Sequence, residues 1–452
     1  MLGTIRKVLV ANRGEIALRV IRACKDLGLE TVAIYSEADV SSLHVKLADE
    51  AVCVGAAHSK SSYLNIPSIM AAAEVTDADA IHPGYGFLSE NAEFARICRA
   101  CNITFIGPRP ESIALLGDKV QAREAAKKSG VPMLPGSDGV VPNVESAESE
   151  ANRIGYPVIL KASAGGGGRG ITIVRRSEEF RACFERTASE AKAAFNNGDL
   201  FIERYCVDPR HVEIQIAADQ FGSAVYLGER DCSVQRRHQK LIEEAPCPVI
   251  SEDTRKKMGE AAIKLVKACG YQNVGTVEFL LDTDRKSFYF LEMNTRIQVE
   301  HPVTEMVTGI DLVKLQLRIA AGEALGFEQK DIVLKGHSIE CRINAEDPDS
   351  FKPSPGLIED VHVPGGMGVR FDSAIYSKYS VPPFYDSMIG KLITHEENRE
   401  LAIMKMLRAL DELKIEGIKT NGKFQARVLQ SEKFRSNQYG TGFLEEFLSR
   451  KE

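Results

Sequence analysis

The fold is decided by the segment Gly275-Thr-Val-Glu-Phe-Leu-Leu-Asp-Thr-Asp-Arg-Lys-Ser-Phe-Tyr-Phe-Leu-Glu-Met-Asn-Thr-Arg-Ile-Gln-Val-Glu-His301. Two apolar runs flank residues 282–286, a pattern that predicts a β-hairpin centred near Arg285. A symmetric hairpin places Glu278 opposite Glu292. Two carboxylates with Cβ atoms roughly 5 Å apart across a ladder repel each other unless a cation lies between them. Because hard oxygen ligands favour magnesium, the segment predicts a Mg²⁺ site that also contacts phosphate oxygens.

The residues after the hairpin continue its alternation of polar and apolar side chains. Glu292, Asn294, Arg296, Gln298 and Glu300 alternate with Met293, Thr295, Ile297 and Val299. A period of two predicts that the strand continues to Glu300 with one polar face. A solvated edge strand is the alternative, but such edges usually carry lysines and not this mixture of acids, amides and arginine. The pattern therefore favours a site.

The residue types on this face suggest their chemistry. Asn294 can join Glu278 and Glu292 as a ligand of Mg²⁺. The guanidinium of Arg296 can bind a small planar oxyanion through two N–H groups, and Glu300 is free to act as a general base. A metal-bound triphosphate beside an oxyanion pocket predicts phosphoryl transfer to a carboxylate-like acceptor. The product of that reaction is an acyl phosphate.

The glycine-rich stretch Lys161-Ala-Ser-Ala-Gly-Gly-Gly-Gly-Arg-Gly170 lies between two strand-like runs, residues 157–160 and 171–174. It matches the pattern G-x-G-x-x-G, but a dinucleotide fold needs a helix next, and the residues that follow do not complete a P-loop. Taken alone, the stretch is equally compatible with a mobile lid over phosphates and with an exposed hairpin. Lys161 and Lys119 are candidate partners for the phosphates.

Two further segments carry candidate ligands. The run Asp231-Cys-Ser-Val-Gln-Arg-Arg-His-Gln-Lys240 brings Gln235, His238 and Lys240 together at a density that suits an anion, although a solvated charged loop is the alternative. The run Phe201-Ile-Glu-Arg-Tyr205 predicts a strand whose backbone could pair with the edge of an adenine ring.

Composition limits the class of protein. A chain of 452 residues predicts about three domains, and 44% hydrophobic with 27% charged residues is typical of a soluble globular protein. A net charge of −6 without a long basic run argues against nucleic-acid binding as the main task. The ten cysteines are scattered without zinc-ligand spacing, which favours buried thiols in a reducing cytoplasm. The sequence shows neither an export signal nor an apolar membrane span.

The order of predicted elements divides the chain. Strand-like residues 5–11 and 31–35 flank a helix over residues 14–27, which predicts a doubly wound parallel sheet in the first hundred or so residues. From about residue 132 to 203 the pattern is helix, strand, glycine loop, strand, helix, strand, and this predicts a small inserted domain. A region rich in strands begins at Gly336 and closes with helices from Glu397 onward.

Five motifs, in their expected order and spread over essentially the whole chain, resemble those of biotin carboxylase, an ATP-grasp enzyme. They are His82-Pro-Gly-Tyr-Gly-Phe-Leu-Ser-Glu-Asn91, residues 164–170, residues 229–240, residues 292–301 and Glu340-Cys-Arg-Ile-Asn-Ala-Glu346. The resemblance implies a multidomain fold of α/β and α+β regions. It comprises a Rossmann-like N-terminal domain (1–117), an ATP-grasp domain (118–326) whose mobile lid spans about residues 132–203, and a C-terminal biotin carboxylase domain (336–447).

The resemblance also implies the reaction. Bicarbonate attacks the γ-phosphate of MgATP to give carboxyphosphate, which releases CO₂ that carboxylates biotin on a carrier protein. Glu278, Glu292 and Asn294 are then expected to hold Mg²⁺ or Mn²⁺. Bicarbonate is expected at Lys240, Arg296, Gln298 and Val299 with Glu300 as its base, and biotin at Tyr85 and Arg342. ATP is expected among Lys119, Lys161, Gly167, Gly168, Glu203, Arg204, Tyr205, Cys206, His211, Gln235, His238, Glu278 and Glu292.

The expected partners are a biotin carboxyl carrier protein and carboxyltransferase subunits, which must be separate polypeptides because no room for them remains before Glu452. We expect a homodimer in the cytoplasm, or in the plastid stroma of a plant, that serves acetyl-CoA carboxylase in fatty acid synthesis. The subunit of a two-subunit pyruvate carboxylase or another acyl-CoA carboxylase, another ATP-grasp carboxylate–amine ligase and a noncatalytic nucleotide sensor are the alternatives. The tetrapeptide Ile403-Met-Lys-Met406 resembles a biotinylation sequence, but its helical surroundings predict an ordinary helix residue at Lys405.

Overall fold

The first region contains a five-stranded parallel sheet in the order β3-β2-β1-β4-β5. Its strands are β1 (Lys7–Val10), β2 (Glu30–Ser36), β3 (Glu50–Gly55), β4 (Ala80–His82) and β5 (Thr104–Phe105). The accompanying helices are α1 (Gly14–Asp26), α2 (Leu43–Leu47), α3 (Ile66–Val75), α4 (Ala92–Ala100) and α5 (Pro110–Gly117). Val8 and Val10 pack into one apolar core and Leu9 into another. The sheet therefore buries both faces, which confirms the predicted doubly wound fold.

The structure is a computed structural model that describes residues 3, 5–163, 171–195, 197–283 and 287–449. The predicted lid loop, with Gly167 and Gly168, and the predicted hairpin centre at Arg285 lie outside these ranges.

A small antiparallel sheet follows α6 (Lys119–Lys128), in the order β7-β6-β8. It consists of β6 (Val158–Ala162), β7 (Ile171–Val174) and β8 (Leu200–Arg204), with α7 (Val144–Ile154) and α8 (Phe180–Phe195). These elements share a core that includes Ala147, Val158 and Phe180. The strands flank the glycine-rich stretch as predicted.

The largest element is an eight-stranded antiparallel sheet in the order β13-β12-β9-β10-β11-β14-β19-β17. Its strands are β9 (Arg210–Ala218), β10 (Ala224–Arg236), β11 (Gln239–Ala245), β12 (Asn273–Asp282), β13 (Ser287–Asn294), β14 (His337–Asn344), β17 (Val369–Ser373) and β19 (Met388–Glu396). Two short pairs join β15 (Gly356–Leu357) to β18 (Ser380–Val381) and β16 (Val361–His362) to β20 (Lys414–Ile415). Because β11 pairs with β14, one sheet runs from the ATP-grasp region into the C-terminal region.

The remaining helices pack on this sheet and at the end of the chain. They are α9 (Glu252–Ala268), α10 (His301–Thr308), α11 (Leu312–Ala320), α12 (Arg399–Glu412), α13 (Gly422–Gln430), α14 (Glu432–Arg435) and α15 (Phe443–Ser449). Lys405 lies within α12, as predicted. Within the described ranges, no helix is long and apolar enough to cross a membrane.

The hairpin of β12 and β13 has the predicted register at its functional end, where Glu278 pairs with Glu292. An irregularity follows, since Phe279 pairs with Phe290 and leaves Leu291 as an extra residue in β13. The prediction of a strand that continues to Glu300 is wrong. Strand β13 ends at Asn294, and the chain turns before α10 begins at His301.

Candidate active site

Lys240 lies at the centre of the site, at the start of β11. Its Nζ donates hydrogen bonds to Glu213 at 2.6 Å, to Glu300 at 2.7 Å and to Glu278 at 3.0 Å. Burial lowers the pKa of Lys240, but the neighbouring Cys232 and the three carboxylates outweigh it and raise that pKa well above its usual value. Lys240 is therefore a fixed positive charge among three acids that come from three different segments of the chain.

Glu300 is fully buried and accepts hydrogen bonds on both oxygens. Lys240 binds Oε1, and the Nη2 of Arg342 binds Oε2 at 2.9 Å. Burial raises its pKa, but these two cations and Arg230 together hold the pKa well below its usual range. The predicted base is thus ionised, but it is not free as the sequence suggested. A substrate has to take over its cations before Glu300 becomes a strong proton acceptor.

Glu278 and Glu292 form the predicted acidic pair across β12 and β13. Glu278 accepts hydrogen bonds from His211 Nε2 at 2.9 Å, Asn294 Nδ2 at 2.9 Å and Gln298 Nε2 at 3.1 Å. The pKa of Glu292 is raised, first by burial and then by the charge of Glu278. A divalent cation would relieve this repulsion between Glu278 and Glu292. The two carboxylates and the side-chain amide of Asn294 therefore fit Mg²⁺ or Mn²⁺.

Arg296 is held by side chains on both sides of it. Its Nη1 donates to Gln298 Oε1 at 2.9 Å, its Nη2 to Asn294 Oδ1 at 3.2 Å and its Nε to Glu90 Oε2 at 2.9 Å. The predicted polar residues do converge, although the turning chain and not a strand brings them together. The guanidinium is oriented by these three side-chain acceptors and by the Ile297 carbonyl, and it can exchange one of the four for a planar oxyanion.

The predicted nucleotide residues lie around the small sheet and its junction with the large one. Lys161 Nζ donates to Glu203 Oε2 at 2.5 Å, across β6 and β8. Lys119 begins α6 directly after Asp118, which caps that helix by accepting from the N–H groups of Val120 and Gln121. The charge of Lys119 lowers the pKa of Glu292, which places it on the metal side of the site.

The other predicted nucleotide residues occupy three places. Gln235 lies at the end of β10 opposite Lys240, and the exposed His238 lies in the turn between β10 and β11, so the predicted anion-binding run is a hairpin. Tyr205 donates its N–H to Pro157 O at 3.0 Å, and Cys206 is buried. The side chain of Arg204 is buried, with its Nε 3.8 Å from Asp282.

The predicted biotin residues also come together. The hydroxyl of Tyr85 donates to Glu15, and the Nε of Arg342 donates to Glu243 Oε1 at 2.6 Å. Burial and the charge of Glu15 raise the pKa of Tyr85, whereas the charge of Arg342 lowers it. Lys391 connects the two residues, because its Nζ lies 6.0 Å from the centroid of the Tyr85 ring and it pairs directly with Arg342 across β14 and β19.

Three family models together match nearly the whole chain. Residues 4–113 match "Biotin carboxylase, N-terminal domain", 118–328 match "Carbamoyl-phosphate synthase L chain, ATP binding domain", and 340–446 match "Biotin carboxylase C-terminal domain". The biotin carboxylase of Haemophilus influenzae is 57% identical over 99% of this chain and 100% of its own length. The chain belongs to the biotin carboxylase family.

Solved structures of the family superpose on the chain. The biotin carboxylase subunit of a pyruvate carboxylase covers 99% of this chain and 100% of its own, with 50% identity and a TM-score of 0.93. The biotin carboxylase domain dimer of 2-oxoglutarate carboxylase from Hydrogenobacter thermophilus, in complex with MgADP, ADP and bicarbonate, covers 98% of this chain and 97% of its own. It is 51% identical, with a TM-score of 0.84.

Sequence reasoning missed several charged residues of this biotin carboxylase site. Glu213 and Arg230 are both fully buried, and the Nε of Arg230 donates to Glu213 Oε1 at 2.5 Å. A signal was present, because His211, Glu213 and Gln215 alternate with apolar residues in β9. Glu90 lies in the motif from His82 to Asn91, but the sequence analysis assigned it no role. No local pattern marked the remaining two, Glu243 and Lys391.

Proposed function

We propose that this chain carboxylates biotin on a biotin carboxyl carrier protein, with ATP and bicarbonate as substrates and carboxyphosphate as the intermediate. One observation carries the proposal. Glu300 is held between Lys240, beside the acidic pair, and Arg342, beside Tyr85. A single carboxylate thus connects the place where phosphate is transferred with the place where biotin would lie.

In the first step, Lys240 and Arg296 bind the oxygens of bicarbonate, with Gln298 and the main chain of Val299 completing the pocket. Glu300 accepts the proton of bicarbonate, whose oxygen attacks the γ-phosphorus of ATP as the bond to ADP breaks. Mg²⁺ or Mn²⁺ at Glu278, Glu292 and Asn294 would supply neutralisation of the phosphate charge. The other expected ATP contacts named above surround the nucleotide.

In the second step, carboxyphosphate breaks its carbon–oxygen bond to give CO₂ and phosphate. The ureido nitrogen of biotin gives its proton to the released phosphate and attacks the carbon of CO₂. Arg342 stabilises the negative charge that develops on the ureido oxygen, as the donors of an oxyanion hole do. Tyr85 borders the space beside Arg342 and limits the position of the biotin ring.

The test is ATP hydrolysis with free biotin and bicarbonate, each omitted in turn, on the native chain and on Arg296→Ala. The native chain should hydrolyse ATP only when bicarbonate is present. The variant should retain much of its ATP affinity while it loses carboxylation, because the Arg296 guanidinium contacts bicarbonate and not the nucleotide. Turnover indifferent to bicarbonate and biotin would favour an ATP-grasp carboxylate–amine ligase instead, and unaltered carboxylation by the variant would refute the role of Arg296.

For the assembly, we propose a homodimer that works with separate carrier and carboxyltransferase subunits of acetyl-CoA carboxylase, in the cytoplasm or plastid stroma. A relative named "Biotin carboxylase, chloroplastic" supports the plastid location, and the 2-oxoglutarate carboxylase domain solved as a dimer supports the homodimer. A two-subunit pyruvate carboxylase is the second candidate, since the subunit of one superposes on the chain. Mass spectrometry of copurifying proteins distinguishes them, because the carboxyltransferase partner determines the final acceptor.

A further inference from the structure

Lys391 carries a buried charge that has no role in the reaction steps described above. It lies on β19 directly opposite Arg342 of β14, and its side chain is completely buried. Its Nζ donates a hydrogen bond to the carbonyl oxygen of Val299 at 2.7 Å and lies 3.3 Å from Glu15 Oε1. A buried ammonium is costly unless it is paired, so each of the two contacts offsets part of the cost of burying Lys391.

The two partners of Lys391 belong to opposite sides of the site. Val299 lies between the end of β13 and the start of α10, outside any strand or helix, so its carbonyl oxygen needs a hydrogen-bond donor from elsewhere in the fold. Glu15 lies on α1 and accepts the hydroxyl hydrogen bond of Tyr85. The Nζ of Lys391 is also 6.0 Å from the centroid of the Tyr85 ring. One cation from the C-terminal strands therefore contacts both the bicarbonate segment and the partner of the biotin residue.

We propose that Lys391 is a positioning residue that holds the main chain at Val299 and, through Glu15, the ring of Tyr85 at a fixed separation. This rests on the function proposed above. The carbonyl contact fixes the main chain at Val299, between Gln298 of the bicarbonate pocket and the base Glu300. The Glu15 contact fixes the phenol that borders biotin. Reaction between CO₂ and biotin requires the two sites to keep their distance, because misplacement by about 1 Å can cost a hundredfold in rate.

The first test compares Lys391→Met with Lys405→Met. Lys405 is a matched control, because its Nζ also donates to a main-chain carbonyl, that of Met367 at 2.7 Å, and pairs with a carboxylate, Glu396 at 2.5 Å. It lies on α12, away from the site. For Lys391→Met we expect KM for bicarbonate and for biotin to rise at least about tenfold, the equivalent of one lost charge-assisted hydrogen bond. KM for ATP should stay within about twofold, and Lys405→Met should change none of the three.

Glu15→Gln is the second test, and it serves even where the loss of Lys391 prevents folding. Glutamine keeps an oxygen for the Tyr85 hydroxyl but removes the counter-charge of Lys391. We expect KM for biotin to rise more than KM for bicarbonate, with KM for ATP unchanged.

The outcomes distinguish failure of the inference about Lys391 from failure of the proposed function. A native chain without bicarbonate- and biotin-dependent ATP hydrolysis refutes the proposed function. A native chain that turns over normally, together with variants that lower the melting temperature but leave kcat and every KM of the folded enzyme unchanged, shows a merely structural lysine and overturns the inference alone. An equal rise in KM for ATP overturns it as well.

Discussion

Glu243 allows a direct test of how the buried charges are balanced. It is completely buried on β11, opposite Glu340 of β14, and its Oε1 accepts the hydrogen bond of Arg342. Neither oxygen of Glu340, nor Oε2 of Glu243, has a hydrogen-bond partner among the described residues. Burial raises the pKa of Glu243, the charge of Arg342 lowers it and that of Glu300 raises it, and together they bring this pKa from 4.5 to about 7. One carboxyl of this pair therefore holds a proton at neutral pH more readily than an exposed one.

The consequence for stability follows from linkage. Because the pKa of Glu243 is higher in the folded state than in the unfolded state, its stabilising contribution is fully present below pH 4.5 and is lost as the pH rises to about 7. The full loss is about 3 kcal/mol, of which about 2 kcal/mol falls between about pH 5.5 and about pH 8. Glutamine is neutral throughout and retains an acceptor for Arg342, so Glu243→Gln removes this loss.

The measurement is urea unfolding of the native chain and of Glu243→Gln at about pH 5.5 and about pH 8, followed by circular dichroism. The free energy of unfolding of Glu243→Gln minus that of the native chain should be about 2 kcal/mol larger at about pH 8 than at about pH 5.5. Glu244→Gln is the control. The pKa of Glu244 is lowered far below 4.5 because Arg399 and His337 outweigh burial, so its stabilising contribution is already complete at both pH values. Parallel pH curves for native chain and Glu243→Gln would refute the reasoning.

Three other changes test separate parts of the structure. Glu292→Gln should raise the Mg²⁺ concentration needed for half-maximal ATP hydrolysis, since it removes one of two opposed carboxylates; an unchanged requirement would exclude Glu292 as a ligand. Arg230→Met should destabilise the fold by about 3–5 kcal/mol in unfolding experiments, because it leaves the buried Glu213 with only one of its two cations. Deletion of glycines from residues 165–168 should slow turnover in steady-state assays if the loop closes as a lid, whereas an unchanged rate indicates a passive hairpin.

Local pattern predicted the acidic pair but not its surroundings. A hairpin symmetric about residue 285 places Glu278 opposite Glu292, as observed. The pairing next to the turn would instead place Glu278 opposite Leu291, and the extra residue Leu291 shifts the register by one to give the observed pair. The alternation up to Glu300 predicted polar residues that the structure brings together, but it predicted the wrong backbone. Alternation does not distinguish a strand from a chain that turns toward a helix. Here the chain turns, and the Gln298 carbonyl accepts a hydrogen bond from His301 Nδ1 at 2.8 Å.

The partners of the buried cations Arg342 and Lys391 could not be predicted from the sequence because they lie on distant segments of the chain. Arg342 lies 99 residues from Glu243, and Lys391 lies 92 residues from Val299. The first contact exists because β11 and β14 pair in one sheet, and the second because the turn before α10 lies against β19. No local periodicity specifies either arrangement. A buried charge in a predicted strand indicates that a partner is needed, but it does not indicate which segment supplies it.

The correction at Glu300 changes how the proposed reaction is controlled. An exposed glutamate would accept protons regardless of what is bound, whereas Glu300 has its pKa held well below the usual range, with Lys240 and Arg342 among the charges that lower it. Bicarbonate binding draws on the charge of Lys240, and the ureido oxygen of biotin draws on that of Arg342. Each substrate thus weakens one of the interactions that lower the pKa of Glu300. The affinity of Glu300 for a proton therefore rises as the two sites fill, which ties proton removal to the presence of both substrates.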